Sequence, residues 1–150
     1  MPNSISIDEQ LDIEDQFLSN KNAINQLIED YKKYGKLIIA YDFDDTVKPS
    51  LPNYSCNQVI ELLQVCSGLS VFNMVCFTCR YKKEDLNEVV EYLDKLHIRH
   101  DCINENHPDY QIETSRKIFF NVFLDNRAGL KSAYEILVGF LDWYRGENEL

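Results

Sequence analysis

Two spacings of apolar residues alternate along the chain. Ile24, Leu27, Ile28 and Tyr31 recur at three and four, the period of a helix, after an apolar side marked by Leu11, Phe17 and Leu18. The spacing predicts helix over about residues 8–34 in two pieces, Asn20 capping the second and Gly35 ending it. Lys36–Tyr41 then runs apolar almost without interruption, the mark of a strand buried on both faces. Pro49 and Pro52 keep the next segment out of regular helix. Asn57–Gln64 returns to a helical pattern that Ser67-Gly68 closes, and Val71–Phe77 is a second buried strand. A helix over Glu84–Leu96, a short strand over Asp101–Ile103 and an apolar strand over Ile118–Leu124 follow, and an amphipathic helix from about Ala128 to Tyr144 ends the series.

Strands alternating with helices predict an α/β fold, a mostly parallel Rossmann-like sheet with helices on both faces in three layers. Such sheets gather their functional groups at the carboxyl ends of the strands, near the point where strand order reverses. Three of the predicted strands end there in polar residues: Asp42 and Asp44, Thr78 and Arg80, and Asp125 with Asn126. The first end is the most pointed, because Asp42, Asp44 and Asp45 put three acids within four residues directly after a buried strand. Like charges so close repel, and Asp is a poor strand former, so folding alone does not ask for them.

A divalent cation and a phosphoryl group between the strand ends would account for the pattern. Phosphoryl transfer needs an in-line nucleophile, a cation and donors matched to the developing charge. Asp42 can be the nucleophile, since carboxylates form aspartyl phosphates, and Asp44 can protonate the leaving oxygen and then take a proton from water. Asp125 and Asp42, with a backbone carbonyl and Asp44 in the same set, supply the oxygen ligands that Mg²⁺ takes. Thr78, Arg80 and a Lys can hold the phosphate oxygens, Arg through its fork. Arg80 alone also reads as a surface residue paired with Glu84, and Asp45 as a solvated acid.

Composition narrows the class. The chain has 150 residues, 45% hydrophobic, with Gly 5 and Pro 4, an ordinary globular composition and large enough for one core. There is no apolar run of membrane-spanning length and no signal-peptide pattern at Met1–Ser6, so a soluble cytoplasmic protein is expected. The five cysteines (Cys56, Cys66, Cys76, Cys79 and Cys102) read as free thiols, Cys76 serving as a small buried hydrophobe and not as half of a zinc pair. The net charge of −10 lacks the basic footprint of a protein that binds long nucleic acid. Seven acids stand against Lys21 alone in the first thirty residues, which makes residues 1–35 an acidic N-terminal helical segment before a core at 36–145. Histidines 97, 100 and 107 read as surface or structural.

The run Ile38–Tyr41 followed by Asp42-Phe43-Asp44-Asp45-Thr46, the strand Val71–Phe77 ending at Thr78, and Phe119–Leu124 ending at Asp125 resemble, in that order, three motifs of the haloacid dehalogenase (HAD) superfamily of phosphohydrolases. The stretches Thr78-Cys79-Arg80, Asn104–Pro108 and Ser115–Lys117 look like a small bacterial and phage-type group of deoxynucleotidase-like members. The resemblance implies Asp42 as nucleophile, Asp44 as general acid and base, Thr78 as phosphate ligand and Asp125 as magnesium ligand. It also implies a Lys that balances phosphate charge, for which Lys117 is the first choice and Lys82 and Lys83 the reserve. Two positions depart from the pattern: Asn126 stands where a second acid is frequent, and Asp45 where Gly is frequent. The intervals on either side of Thr78 are too short for another folded domain, so a capless single-domain member with an open site is expected.

These readings converge on a Mg²⁺-dependent phosphomonoesterase acting on a small phosphorylated metabolite, with nucleotides foremost by resemblance, and capable of forming a homo-oligomer over its open site. A non-catalytic or regulatory module on the same fold is the rival that Asn126 and the displaced Lys favour. A polynucleotide 3′-phosphatase would explain Arg80 and the open site but not the charge. A response-regulator receiver domain would carry its phosphoacceptor on a later strand.

Overall fold

A computed structural model describes residues 15–110 and 117–148. Its elements in chain order are a short 3-10 turn at Gln16–Leu18, helix α1 (Asn20–Tyr34), strand β1 (Leu37–Tyr41), helix α2 (Asn57–Ser67), strand β2 (Phe72–Cys76), helix α3 (Lys83–Lys95), strand β3 (Cys102–Ile103), strand β4 (Val122–Leu124) and helix α4 (Leu130–Asn148). The four strands form one parallel sheet in the order β3-β2-β1-β4. Register pairs Leu37 with Phe72 and Tyr41 with Cys76 on one side of β1, and Tyr41 with Leu124 on the other. The order reverses at β1, so the β1–β4 boundary is the crevice where an open α/β sheet offers its functional groups.

Alternation along the strands divides the core. Leu37, Ile39 and Tyr41 of β1, Phe72, Met74 and Cys76 of β2, and Val122 and Leu124 of β4 belong to the larger cluster. Buried residues from all four helices join it, among them Leu27, Leu63, Leu93 and Leu137. Each such leucine contributes about 1.5–3 kcal/mol through burial. Ile38, Ala40, Val75 and Cys102 face the opposite way and are covered by Tyr110, Ile118, Phe119, Phe120 and Phe123.

The expected three layers are therefore corrected among the described residues: all four helices bury side chains in one cluster, and an aromatic connector covers the other face. Topology gives the reason. Right-handed crossovers β1–β2 and β2–β3 step in one direction and put α2 and α3 on one face. The β3–β4 connection returns across the whole sheet and so runs over the other face, where its described residues carry aromatic side chains in place of a helix. The apolar run 118–124 pairs as a strand only over Val122–Leu124, because Ile118–Phe120 lie half-buried on that second face, where they pack without pairing.

Local signals explain the remaining boundaries. Ser19, one residue before the expected cap, closes α1 by accepting the Asn22 amide at 3.3 Å. Gly35 ends the helix with φ 76°. The first half of the expected N-terminal helix lies outside the described residues. Helix α4 lies against α1, where a Cβ on Gly139 would stand 2.4 Å from Ile24 Cδ1. The absent side chain is what admits Ile24. Among the described residues no helix is long and apolar enough to cross a membrane.

Candidate phosphate site

Three neighbouring strands deliver the site. The Asp42 amide donates to the Leu124 carbonyl at 2.9 Å, and the Phe77 amide to the Tyr41 carbonyl at 2.8 Å, so β1 stays paired on both sides until Asp42 emerges. Asp125 follows Leu124 directly, and Thr78 stands two residues beyond the end of β2. Phe43, fully buried, anchors the segment between the two acids and packs edge-on against Tyr92 at 5.5 Å.

A tight turn follows. The Phe43 carbonyl accepts from the amides of Thr46, Val47 and Lys48 at 3.4, 2.9 and 3.0 Å. Asp45 sits inside it at φ 59°, a left-handed conformation that Gly adopts freely and Asp tolerates. Its carboxylate accepts from the Ser50 amide at 2.8 Å and the Ser50 hydroxyl at 2.9 Å, and these bonds hold it below the ordinary carboxylate range. Asp45 thus has a task that the sequence did not disclose: it closes the loop after the first motif. Thr46, buried, accepts the Asn126 amide on Oγ1 at 3.0 Å and ties this turn to the exit of β4.

Asn126 also joins two acids. With its side-chain nitrogen turned toward them, as the surrounding acceptors require, it donates to Asp42 Oδ2 and Asp125 Oδ1, each at 3.2 Å. The two carboxylates therefore stand within two hydrogen-bond lengths of each other. Burial pushes the Asp42 carboxyl up to about 6; the Phe43 amide opposes this, and the charges of Asp125, Asp44 and Asp45 add to it. Asp125 is further fixed by accepting the Arg127 amide at 2.8 Å.

Asp44 is engaged differently. Arg80 binds it with both arms, Nε to Oδ2 at 3.0 Å and Nη2 to Oδ1 at 2.8 Å. The third guanidinium nitrogen reaches Glu88 Oε2 at 3.0 Å, and the other Glu88 oxygen meets Lys48 Nζ. The acid beside Arg80 is therefore Glu88, one turn beyond the expected Glu84. The turn carrying Arg80 is held by Asn104, which accepts the Thr78 amide on Oδ1 at 2.7 Å and donates through Nδ2 to the Arg80 carbonyl at 3.3 Å. Thr78 itself is buried and accepts the Arg80 amide on Oγ1 at 3.2 Å.

Asp42, Asp44, Thr78, Arg80 and Asp125 thus come together at the carboxyl end of the sheet. Lys117 does not join them: it is exposed and lies on the segment that enters β4 from its amino end. Neither Glu88 nor Lys48 carries a signal in the local sequence, and Asn104 carries one only as a short polar residue directly after β3. A cavity of about 570 Å³ lies elsewhere, between Lys36, Ile38, Asn73 and Tyr110 near the amino ends of the strands, and none of these acids lines it.

The donor set suits a hard divalent cation such as Mg²⁺. Two carboxylates share a narrow space, where burial raises the Asp42 carboxyl and the charges of Asp125 and Asp44 add to it. With both oxygens of Asp44 on Arg80, the side chains open to a cation are those of Asp42 and Asp125. Among the described residues no three His, Cys, Asp or Glu side chains form a metal-holding group. No family model matches this chain, and neither a curated protein nor a solved structure matches it.

Proposed function

We propose that the chain is a Mg²⁺-dependent phosphomonoesterase of the HAD type, hydrolysing a small phosphorylated metabolite such as a nucleotide. The observation that carries this reading is the junction at β1 and β4, where Asp42 and Asp125 share one amide while Thr78 and Arg80 stand on the neighbouring strand end. Asp42 attacks phosphorus and the leaving alcohol departs with a proton from Asp44. Water then attacks the aspartyl phosphate as Asp44 takes a proton from it, which releases inorganic phosphate and restores Asp42 as a carboxylate and Asp44 as the protonated acid. The Arg80 fork and the Thr78 hydroxyl orient the phosphoryl oxygens. Asp42 and Asp125 would hold Mg²⁺, which when bound neutralises phosphoryl charge.

One observation favours the rival reading of a non-catalytic phosphate-binding module: the bidentate pairing of Arg80 with Asp44 keeps the general acid occupied. A screen of nucleoside monophosphates and sugar phosphates with Mg²⁺, run beside Asp42→Asn, separates the two. Turnover in the natural chain and none in the variant is the expected outcome. Phosphate and Mg²⁺ binding with no turnover on any substrate selects the binding module.

A further inference from the structure

We infer that Lys48, held on Glu88 beside Arg80, is the second cation of the phosphate site, and that Glu88 is the positioning residue for both. The inference rests on the phosphoryl-transfer reading above. A phosphoryl group at Asp42 adds charge to a space that already holds Asp44 and Asp125, and positioned cations must balance it. Arg80 is one. The turn after Asp44 delivers the other.

The backbone places Lys48 beside the site. Its amide donates to the Phe43 carbonyl at 3.0 Å, its carbonyl accepts from Asp45 at 2.8 Å, and the residue bridges Asp44 as a strand would. Its side chain then passes over Tyr92, with Nζ 5.6 Å from the ring centroid. Tyr92 packs on Phe43, and Arg80 lies 5.1 Å over the other partner of that pair, the Phe43 ring. The two cations are thus stacked on one aromatic pair. They meet at Glu88, which takes Lys48 on Oε1 and Arg80 on Oε2.

A lone surface ion pair would mean little. Here a single carboxylate on α3 gathers two cations from two different loops, each loop belonging to a strand end of the site. Glu88 keeps the pair close without phosphate, and incoming phosphate oxygens compete for the same donors. Lys117, at the amino end of β4, has no such route.

Isothermal titration of inorganic phosphate in the presence of Mg²⁺ tests the assignment on the full chain. Lys48→Met and Lys48→Gln should each weaken phosphate about tenfold, the loss of one charge-assisted contact. Glu88→Gln should weaken it about threefold with Glu88→Asp restoring it, and Lys117→Met should leave it unchanged. In turnover of a phenyl phosphate ester, the Lys48 variants should raise KM more than they lower kcat. Lys48→Met keeps the apolar length of the stem over Tyr92, so binding can be read in a folded protein even where Lys48→Gln melts early. Wild-type affinity in both Lys48 variants, or an equal loss in Lys117→Met, overturns the assignment alone. A natural chain that neither binds phosphate nor hydrolyses any ester overturns the phosphatase reading and this assignment with it.

Discussion

Arg80 grips Asp44 through two nitrogens, at 3.0 and 2.8 Å, and turns its third toward Glu88. The fork fixes the acid that the proposed reaction needs as a proton donor, so Arg80 must exchange Asp44 for phosphate oxygens as substrate enters. Arg80→Lys keeps the charge and loses the planar fork. It should reduce kcat/KM by about 10²-fold, the scale of one lost transition-state donor. The pair is partly exposed, so the melting point should fall by no more than the equivalent of about 1 kcal/mol. Steady-state kinetics beside thermal melts read both.

Asp42 gives the chain a particular pH response when no divalent cation is present. Its folded value of about 6 lies above the ordinary 3.8, so the folded state takes up the proton more readily than the unfolded chain. The stability this group contributes is full below about 4 and is lost as pH rises through about 6. Asp45 and Glu88, held low by their hydrogen bonds, act in the opposite sense, and their contributions are lost only as pH falls further. Metal-free melts should therefore show stability declining between about pH 4 and pH 6 from this group, and Asp42→Asn should flatten that window. At pH 7 the variant should melt about 2–4 °C higher, the response of a domain this size to about 1 kcal/mol.

Asp45 couples backbone strain to a loop closure. Asp45→Ala keeps neither the tolerance of φ 59° nor the two bonds to Ser50, and should lower the urea midpoint. Asp45→Asn retains the tolerance and an acceptor and should lower it less than Asp45→Ala. Urea denaturation of the two variants orders them, and equal stability would remove the role assigned to this residue.

Thiol chemistry checks the core independently. All five cysteines are free, and Cys79 is the exposed one. Burial pushes Cys66 and Cys76 up to about 12 and Cys102 to about 11, and it raises Cys56 as well. A thiol reagent at pH 8 should modify Cys79 rapidly in the native protein and the other four only on unfolding. Peptide mapping after brief labelling reads the pattern.

Much of this architecture was legible because burial leaves a pattern. Leu37–Tyr41 is apolar throughout and Phe72–Cys76 is apolar but for Asn73, as strands covered on both faces tend to be, and acids directly after such a run have no structural excuse. The second face was misread for a related reason. Ile118–Phe120 look like strand because they are apolar, yet they are half-buried against Ile38, Ala40 and Val75, and periodicity does not separate pairing from packing. The strand-end residues Asp42, Asp44, Thr78, Arg80 and Asp125 were visible one segment at a time. Glu88 and Lys48 were not, because each gains its part from a residue far along the chain. On α3, Glu88 has the pattern of any solvated helix acid.

The covalent step is the most direct test of the central claim. A substrate found by the Mg²⁺ screen, carrying a labelled phosphoryl group, is mixed with the protein, quenched in acid during turnover and mapped by peptide mass spectrometry. The label should sit on Asp42 and be absent from Asp42→Asn. Turnover with no label on Asp42, or with label on another residue, would contradict the mechanism.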